Sequence, residues 1–94
     1  MLEEQRNKID AIDTKLAALL EQRLHVSEEI AQAKYEHHLG LTDRGREAVL
    51  LEKVVNTIQA PNLKPYVKDL YKDILLISKQ LQANTIKALQ DADK

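Results

Sequence analysis

Three cations of the N-terminal segment lie where an amphipathic helix would carry apolar residues. Steps of three or four along this segment give Leu2, Arg6, Ile9, Ile12, Leu16, Leu19, Arg23, Val26, Ile30 and Lys34. A buried Arg or Lys without a partner is very costly, so each cation must bind an anion or reach solvent. Arg6 and Lys34 lie near the helix ends, where long side chains reach water easily, whereas Arg23 lies in the middle. The series predicts a site for a small, strongly anionic molecule.

The spacing of these cations decides which of them can share a ligand. Arg23 and Lys34 are eleven residues apart, roughly 16 Å along a helix, so their head groups can bracket one small molecule. Arg6 lies about 25 Å from Arg23 along the same helix and cannot join that site. In an antiparallel dimer, however, Arg6 of one chain comes alongside Arg23 and Lys34 of the other. The pattern therefore predicts two identical sites shared between two chains.

Polar residues of two further segments match this site. Asp43, Arg46 and Glu47 begin the second segment on its apolar side, and Ser78 and Gln82 are four apart in the third. Each has an ordinary structural explanation, since Asp43 is a normal helix cap and Asp43 with Arg46 a normal surface pair. Together the three segments bring four cations, the Glu47 carboxylate and two neutral hydrogen-bonding side chains to inward-leaning faces.

Other chemistry finds little support in the sequence. The absence of cysteine excludes thiol catalysis and a Cys-ligated zinc site. His37 and His38 are adjacent, so on a helix they diverge by about 100° and cannot chelate a metal together. No nucleophile-elbow, zinc-protease or phosphate-loop motif is present. The candidate site offers positioning and electrostatic stabilisation, and we expect neither a metal nor a cofactor.

Three helices must position these residues. The two glycines, Gly40 and Gly45, and the two prolines, Pro61 and Pro65, divide the chain into three segments. The 3–4 spacing of apolar residues predicts a helix over residues 2–37, a second from Thr42 or Asp43 through Ile58, and a third from Pro65 toward Leu89. We therefore expect an all-α fold with one domain over residues 1–90 and a frayed tail over residues 91–94.

The first predicted helix is too long for the rest of the chain to cover. The three helices would be about 50, 25 and 35 Å long. A second copy of the long helix, packed antiparallel, is the simplest cover for its apolar stripe, which predicts an intertwined homodimer. The alternative is a monomer in which the first helix is curved or broken.

Composition excludes several function classes. Fourteen Lys and Arg against fifteen Asp and Glu give a net charge of −1, which argues against nucleic-acid binding. No apolar run approaches the roughly 20 residues that span a membrane. The start, MLEEQRNK, lacks the apolar region of a signal peptide, so we expect a cytoplasmic protein.

The constellation resembles the all-α (AroQ) class of chorismate mutases. The resemblance runs from about Leu2 to Leu89 and rests on these motifs: Arg6-x-x-Ile9-x-x-Ile12-Asp13, Leu16, Leu19-Leu20, Arg23, Lys34, Asp43-x-x-Arg46-Glu47 and Ser78-x-x-x-Gln82. It implies an isomerase that rearranges chorismate to prephenate by a cofactor-free [3,3] shift, in the shikimate pathway to phenylalanine and tyrosine.

The same resemblance implies a role for each matching residue. Arg6 from the partner chain and Arg23 would bind the two carboxylates of chorismate. Lys34 and Gln82 would donate hydrogen bonds to its ether oxygen.

The remaining matches concern the other end of the substrate. Glu47 would hold the ring hydroxyl, Arg46 and Asp43 would shape that end of the pocket, and Ser78 would lie close to a carboxylate. Lys79 and Gln80 depart from the expected pattern, because a more apolar pocket wall is expected beside Ser78.

Two alternatives stay open from the sequence. An isochorismate pyruvate-lyase of the same fold would need the same cations, although the Asp43-to-Glu47 and Ser78-to-Gln82 motifs favour the mutase. A non-catalytic, mutase-like regulatory module is the second alternative. Association with another enzyme of the pathway is left undecided by the sequence.

Overall fold

A computed structural model describes residues 1–93 and shows three helices joined by short connections. The helix α1 comprises Glu3–Glu36, α2 comprises Arg44–Asn56 and α3 comprises Lys64–Ala92, with a single 3-10 turn, Pro61–Leu63, before α3. No strand occurs in residues 1–93. The all-α prediction is confirmed. No helix in this part of the chain is long and apolar enough to cross a membrane.

The helix α1 ends before the first glycine, in a left-handed turn at a histidine. His38 has φ 55°, a conformation that non-glycine residues rarely adopt. The Leu39 amide donates to the Lys34 carbonyl at 2.8 Å and the His38 amide to the Tyr35 carbonyl at 3.3 Å. This pattern is the Schellman C-cap, which satisfies carbonyls left over at the end of a helix. The turn fixes where the connection to α2 begins.

Asp43 and Pro65 mark the starts of the other two helices. The Asp43 carboxylate accepts from the Arg46 amide at 3.0 Å and so caps α2. Pro65 lies in the first turn of α3, where its missing amide hydrogen costs nothing. The helix α3 continues beyond Leu89 to Ala92, and at 29 residues it is about 44 Å long. Lys94 lies outside the described residues. The domain end at residue 90 and the frayed tail over residues 91–94 stay predictions.

The helix α3 is the central helix of the chain, and both other helices pack on it. It packs against both α1 and α2, whereas α1 and α2 do not pack on each other in residues 1–93. The faces that meet are narrow, and Ala31 is the one buried apolar side chain in this part of the chain. Three polar side chains, those of Ser27, Ser78 and Gln82, are buried alongside it. A cleft is left between α1 and α2 above α3.

A single chain is more extended than a compact monomer of the same length. Its dimensions are 59 × 27 × 14 Å and its radius of gyration is 16.7 Å, against about 12 Å for a compact chain of this length. Its accessible surface of 7717 Å² exceeds the roughly 5,500 Å² of a compact monomer of this mass. The stripe of α1 is open to solvent, with Ile9 55%, Ile12 57% and Leu19 60% exposed.

We expect Ala31→Leu to destabilise the protein, because its side chain has no space where α1 meets α3. Overpacking of a filled site costs about 1–3 kcal/mol of the free energy of unfolding, which urea titration measures. The control is Ala88→Leu, at an exposed position of α3, which should change this free energy by less than about 0.5 kcal/mol. Equal effects of the two substitutions would contradict the packing described here.

Candidate functional site

A groove of about 480 Å³ lies between α1 and α2, with α3 as its floor. It gathers seven of the eight residues singled out in the sequence: Arg23, Lys34, Asp43, Arg46, Glu47, Ser78 and Gln82. Arg6 does not line this groove, because it lies five turns away toward the start of α1. The structure therefore brings the predicted residues of one chain together and leaves Arg6 apart, as the spacing along α1 requires.

A chain of hydrogen bonds runs along the floor of the groove, and we call it the polar ladder. Lys34 Nζ donates to Gln82 Oε1 at 2.9 Å, and Gln82 Nε2 donates to Ser78 Oγ at 3.3 Å. Ser78 Oγ and Ser27 Oγ are 2.6 Å apart, and Ser27 Oγ donates to the Arg23 carbonyl at 3.1 Å. The ladder thus crosses twice between α1 and α3.

The direction of each bond in the polar ladder follows from counting hydrogens. Ser27 gives its one hydroxyl hydrogen to the Arg23 carbonyl, so Ser78 must be the donor in the bond between the two serines. Ser78 can then only accept from Gln82. This fixes the amide of Gln82, with Nε2 toward Ser78 and Oε1 toward Lys34. Gln82 has one amide hydrogen beyond these bonds.

Lys34 also holds the connection between α1 and α2. Its ammonium group donates to the Leu41 carbonyl at 2.7 Å as well as to Gln82. Both acceptors are neutral oxygens, so they orient the ammonium group without cancelling its charge. An ammonium group has three hydrogens, and two are used here. Lys34 therefore keeps one donor and its full charge for an anionic ligand.

Arg23 is held by an aromatic ring of α3. Its guanidinium carbon lies 5.8 Å from the centre of the Tyr71 ring, within the range of a cation–π contact. This contact also leaves the charge of Arg23 uncancelled.

The α2 side of the groove is tied to its floor by an ion pair. Lys79 Nζ lies 3.1 Å from Glu47 Oε1, and both residues line the groove. Arg46 and Asp43 lie on the same side and are exposed. The groove contains four cations, namely Arg23, Lys34, Arg46 and Lys79, and two carboxylates, those of Asp43 and Glu47. It carries an excess of two positive charges in a chain whose net charge is −1.

Sequence reasoning missed Ser27 and Tyr71 and did not foresee the partner of Lys79. Ser27 had a usable signal, because it lies four residues after Arg23 and seven before Lys34, on the same face of α1. Lys79 was marked as a departure from the expected pattern, but its pairing with Glu47 depends on how α2 meets α3. Within residues 1–93, no cluster of three His, Cys, Asp or Glu side chains is placed to hold a metal ion.

Comparison with known proteins gives one family. The profile of the family "Chorismate mutase type II" matches residues 5–83. The bifunctional chorismate mutase/prephenate dehydratase of Enterobacter agglomerans is 38% identical over 71 residues, which are 74% of this chain and 18% of the relative. The protein of the same name from Escherichia coli (strain K12) is 37% identical over 71 residues, with the same coverage.

A more distant relative matches a longer part of this chain. The bifunctional chorismate mutase/prephenate dehydratase of Buchnera aphidicola subsp. Acyrthosiphon pisum (strain APS) is 31% identical over 90 residues, which are 95% of this chain and 23% of the relative. The chain thus spans about a fifth of the length of the curated relatives that it matches.

We expect Ser27→Ala to lower the free energy of unfolding by about 1–3 kcal/mol, because the buried Ser78 hydroxyl loses its acceptor. The double variant Ser27→Ala/Ser78→Ala should lose less than the sum of the single variants, since it removes donor and acceptor together. Urea unfolding of the three variants measures this. Thr14→Ala is the control, because Thr14 makes the same bond to the carbonyl four residues earlier at an exposed site. Additive losses would contradict the ladder.

Proposed function

The chain belongs to the chorismate mutase type II family, and we propose that it rearranges chorismate to prephenate in the groove between α1 and α2. The observation that carries the proposal is the groove itself, in which uncancelled cations and neutral hydrogen-bond donors of the family motifs lie together. The reaction is intramolecular: one C–O bond of the ether breaks while one C–C bond forms, and no group leaves. It needs no nucleophile, so positioning and charge are the means available.

The two carboxylates of the substrate are assigned to arginines. Arg23 projects into the groove from α1 and is steadied by Tyr71, so its guanidinium group can bind a carboxylate through two hydrogen bonds. We assign the other carboxylate to Arg6 of the partner subunit. Two fixed arginines would hold chorismate in the compact shape from which the rearrangement proceeds.

The ether oxygen of the substrate is assigned to Lys34 and Gln82. This oxygen becomes more negative as its C–O bond breaks, so donors that point at it stabilise the transition state more than the ground state. Lys34 and Gln82 each have one hydrogen left after the bonds of the polar ladder. Because the ladder fixes both groups in advance, no rearrangement of the donors is needed during the reaction.

The ring hydroxyl is assigned to the α2 side of the groove. Glu47 is a hydrogen-bond acceptor there, and Asp43 and Arg46 lie next to it at the start of α2. Ser78, at the floor, is linked through Ser27 to the backbone carbonyl of Arg23, and we assign it a place close to a substrate carboxylate.

The exposed stripe of α1 supports a homodimer as part of this proposal. Ile9, Ile12 and Leu19 are each more than half exposed, and the surface in excess of a compact monomer is about 2,200 Å². An antiparallel copy of α1 would cover this stripe and would bring Arg6 to the groove of the other chain. The monomer with a curved or broken first helix is not favoured, because α1 is unbroken over 34 residues and its apolar stripe is not covered by the rest of the chain.

The family and the named relatives favour the mutase over the two alternative functions left open by the sequence. These alternatives are the isochorismate pyruvate-lyase and the non-catalytic regulatory module. The cytoplasmic location expected from the sequence belongs to the same proposal.

The direct test is the consumption of chorismate by the purified protein and the appearance of prephenate. We expect Lys34→Ala to lower kcat by about a hundredfold or more, because it removes a charged donor at the ether oxygen. Lys87→Ala, at an exposed position of α3, is the control and should leave kcat unchanged. A folded wild-type protein that consumes no chorismate would refute the function, and a fully active Lys34→Ala variant would refute the assignment of Lys34.

The shared site has its own test, which uses two inactive variants. In a heterodimer of an Arg6→Ala chain and an Arg23→Ala chain, one groove carries both substitutions and the other carries neither. Purified with two different tags, this heterodimer should show about half of the wild-type activity per dimer. Each homodimeric variant should be nearly inactive. No recovery in a confirmed heterodimer would show that Arg6 does not act across the interface.

A further inference from the structure

Glu47 and Lys79 form the one ion pair in residues 1–93 that joins two helices. Lys8 pairs with Glu4 within α1, and the contact between His25 and Glu28 also connects neighbours within that helix. The side chains of Lys79 and Glu47 are 30% and 28% exposed, whereas those of Lys8 and Glu4 are 70% and 77% exposed. Water and salt therefore screen the pair between α2 and α3 less than the exposed pair.

The backbone of Glu47 is fixed independently of this pair, but its carboxylate is not. The Glu47 amide donates to the Asp43 carbonyl at 3.0 Å, which places Glu47 in the first turn of α2. Three rotatable bonds separate this backbone from the carboxylate. The contact with Lys79 at Oε1 is what limits the carboxylate to one direction. The other oxygen, Oε2, stays available as an acceptor within the groove.

Lys79 also follows Ser78 directly in α3, so consecutive residues of the floor reach opposite sides of the groove. Ser78 bonds to Ser27 of α1, and Lys79 pairs with Glu47 of α2. Since α1 and α2 do not pack on each other, their groups are placed relative to one another through α3.

We infer that Lys79 is a positioning residue, which aims the Glu47 carboxylate at the hydroxyl group of the substrate. The inference rests on the proposed function and adds a residue to it. Lys79 acts through Glu47 in this account and does not itself bind a carboxylate of the substrate. Without Lys79, the Glu47 carboxylate would sample other rotamers, and its bond to the hydroxyl would be made in only part of the population.

The test compares four proteins: the wild type, Lys79→Met, Glu47→Gln and the double variant. The substrates are chorismate and its derivative methylated on the ring hydroxyl, which has no hydroxyl hydrogen to donate. We expect Lys79→Met to lower kcat/KM for chorismate about tenfold. In the Glu47→Gln background, and with the methylated substrate, the same change should alter kcat/KM less than about twofold. Lys79→Arg should restore most of the activity, because it keeps the pair.

The controls separate this inference from general effects. Lys72→Met removes a cation from an exposed position of α3 that does not line the groove, and it should leave kcat/KM unchanged. If Lys79→Met does not fold, Lys79→Gln takes its place, with circular dichroism as the check. A tenfold loss that persists in the Glu47→Gln background would overturn the inference, because Lys79 would then contact the substrate directly.

An active wild type with an equally active Lys79→Met variant would overturn the role of Lys79 and leave the proposed function standing. A folded wild type that does not consume chorismate would overturn both.

Discussion

The bond between Ser27 and Ser78 joins the two longest helices, and the groove depends on it. Ala31 is the only apolar side chain that is buried in residues 1–93, and the other buried side chains, Ser27, Ser78 and Gln82, are polar. A buried polar group without its partner lowers the free energy of unfolding, so these hydrogen bonds tolerate little change in the relative position of the two helices. The same bonds orient Gln82 and, through it, Lys34. Hydrogen bonds that join α1 to α3 therefore also orient groups of the candidate site.

The length of α1 is the second constraint. A helix of 34 residues cannot be covered by the two shorter helices of its own chain, which leaves an apolar stripe in water. Association of two chains would bury that stripe. It would also bring Arg6, which does not line the groove of its own chain, to the groove of the other chain. In such a dimer each groove would gain one more cation, Arg6, from the second chain.

Much of this arrangement could be predicted from the sequence, because helical spacing assigns residues to faces. The bounds of α1 were predicted to within one residue at each end, and Asp43 was foreseen as a cap. The period of a helix does not give the rotamers of its side chains, however. The orientation of the Gln82 amide depends on a competition for hydrogens among three buried groups on two helices. The partner of Lys79 depends on how α2 lies on α3, which spacing within one helix cannot show.

The partners of the cations divide them into two kinds. Lys34 is held by neutral oxygens and Arg23 by an aromatic ring, so both are oriented while their charges stay available to a ligand. Lys79 is held by a carboxylate, which cancels its charge locally. The net charge of the chain, −1, hides this division. A near-neutral protein can bind a dianion when its cations inside the groove have neutral partners, because orientation is then obtained without loss of charge.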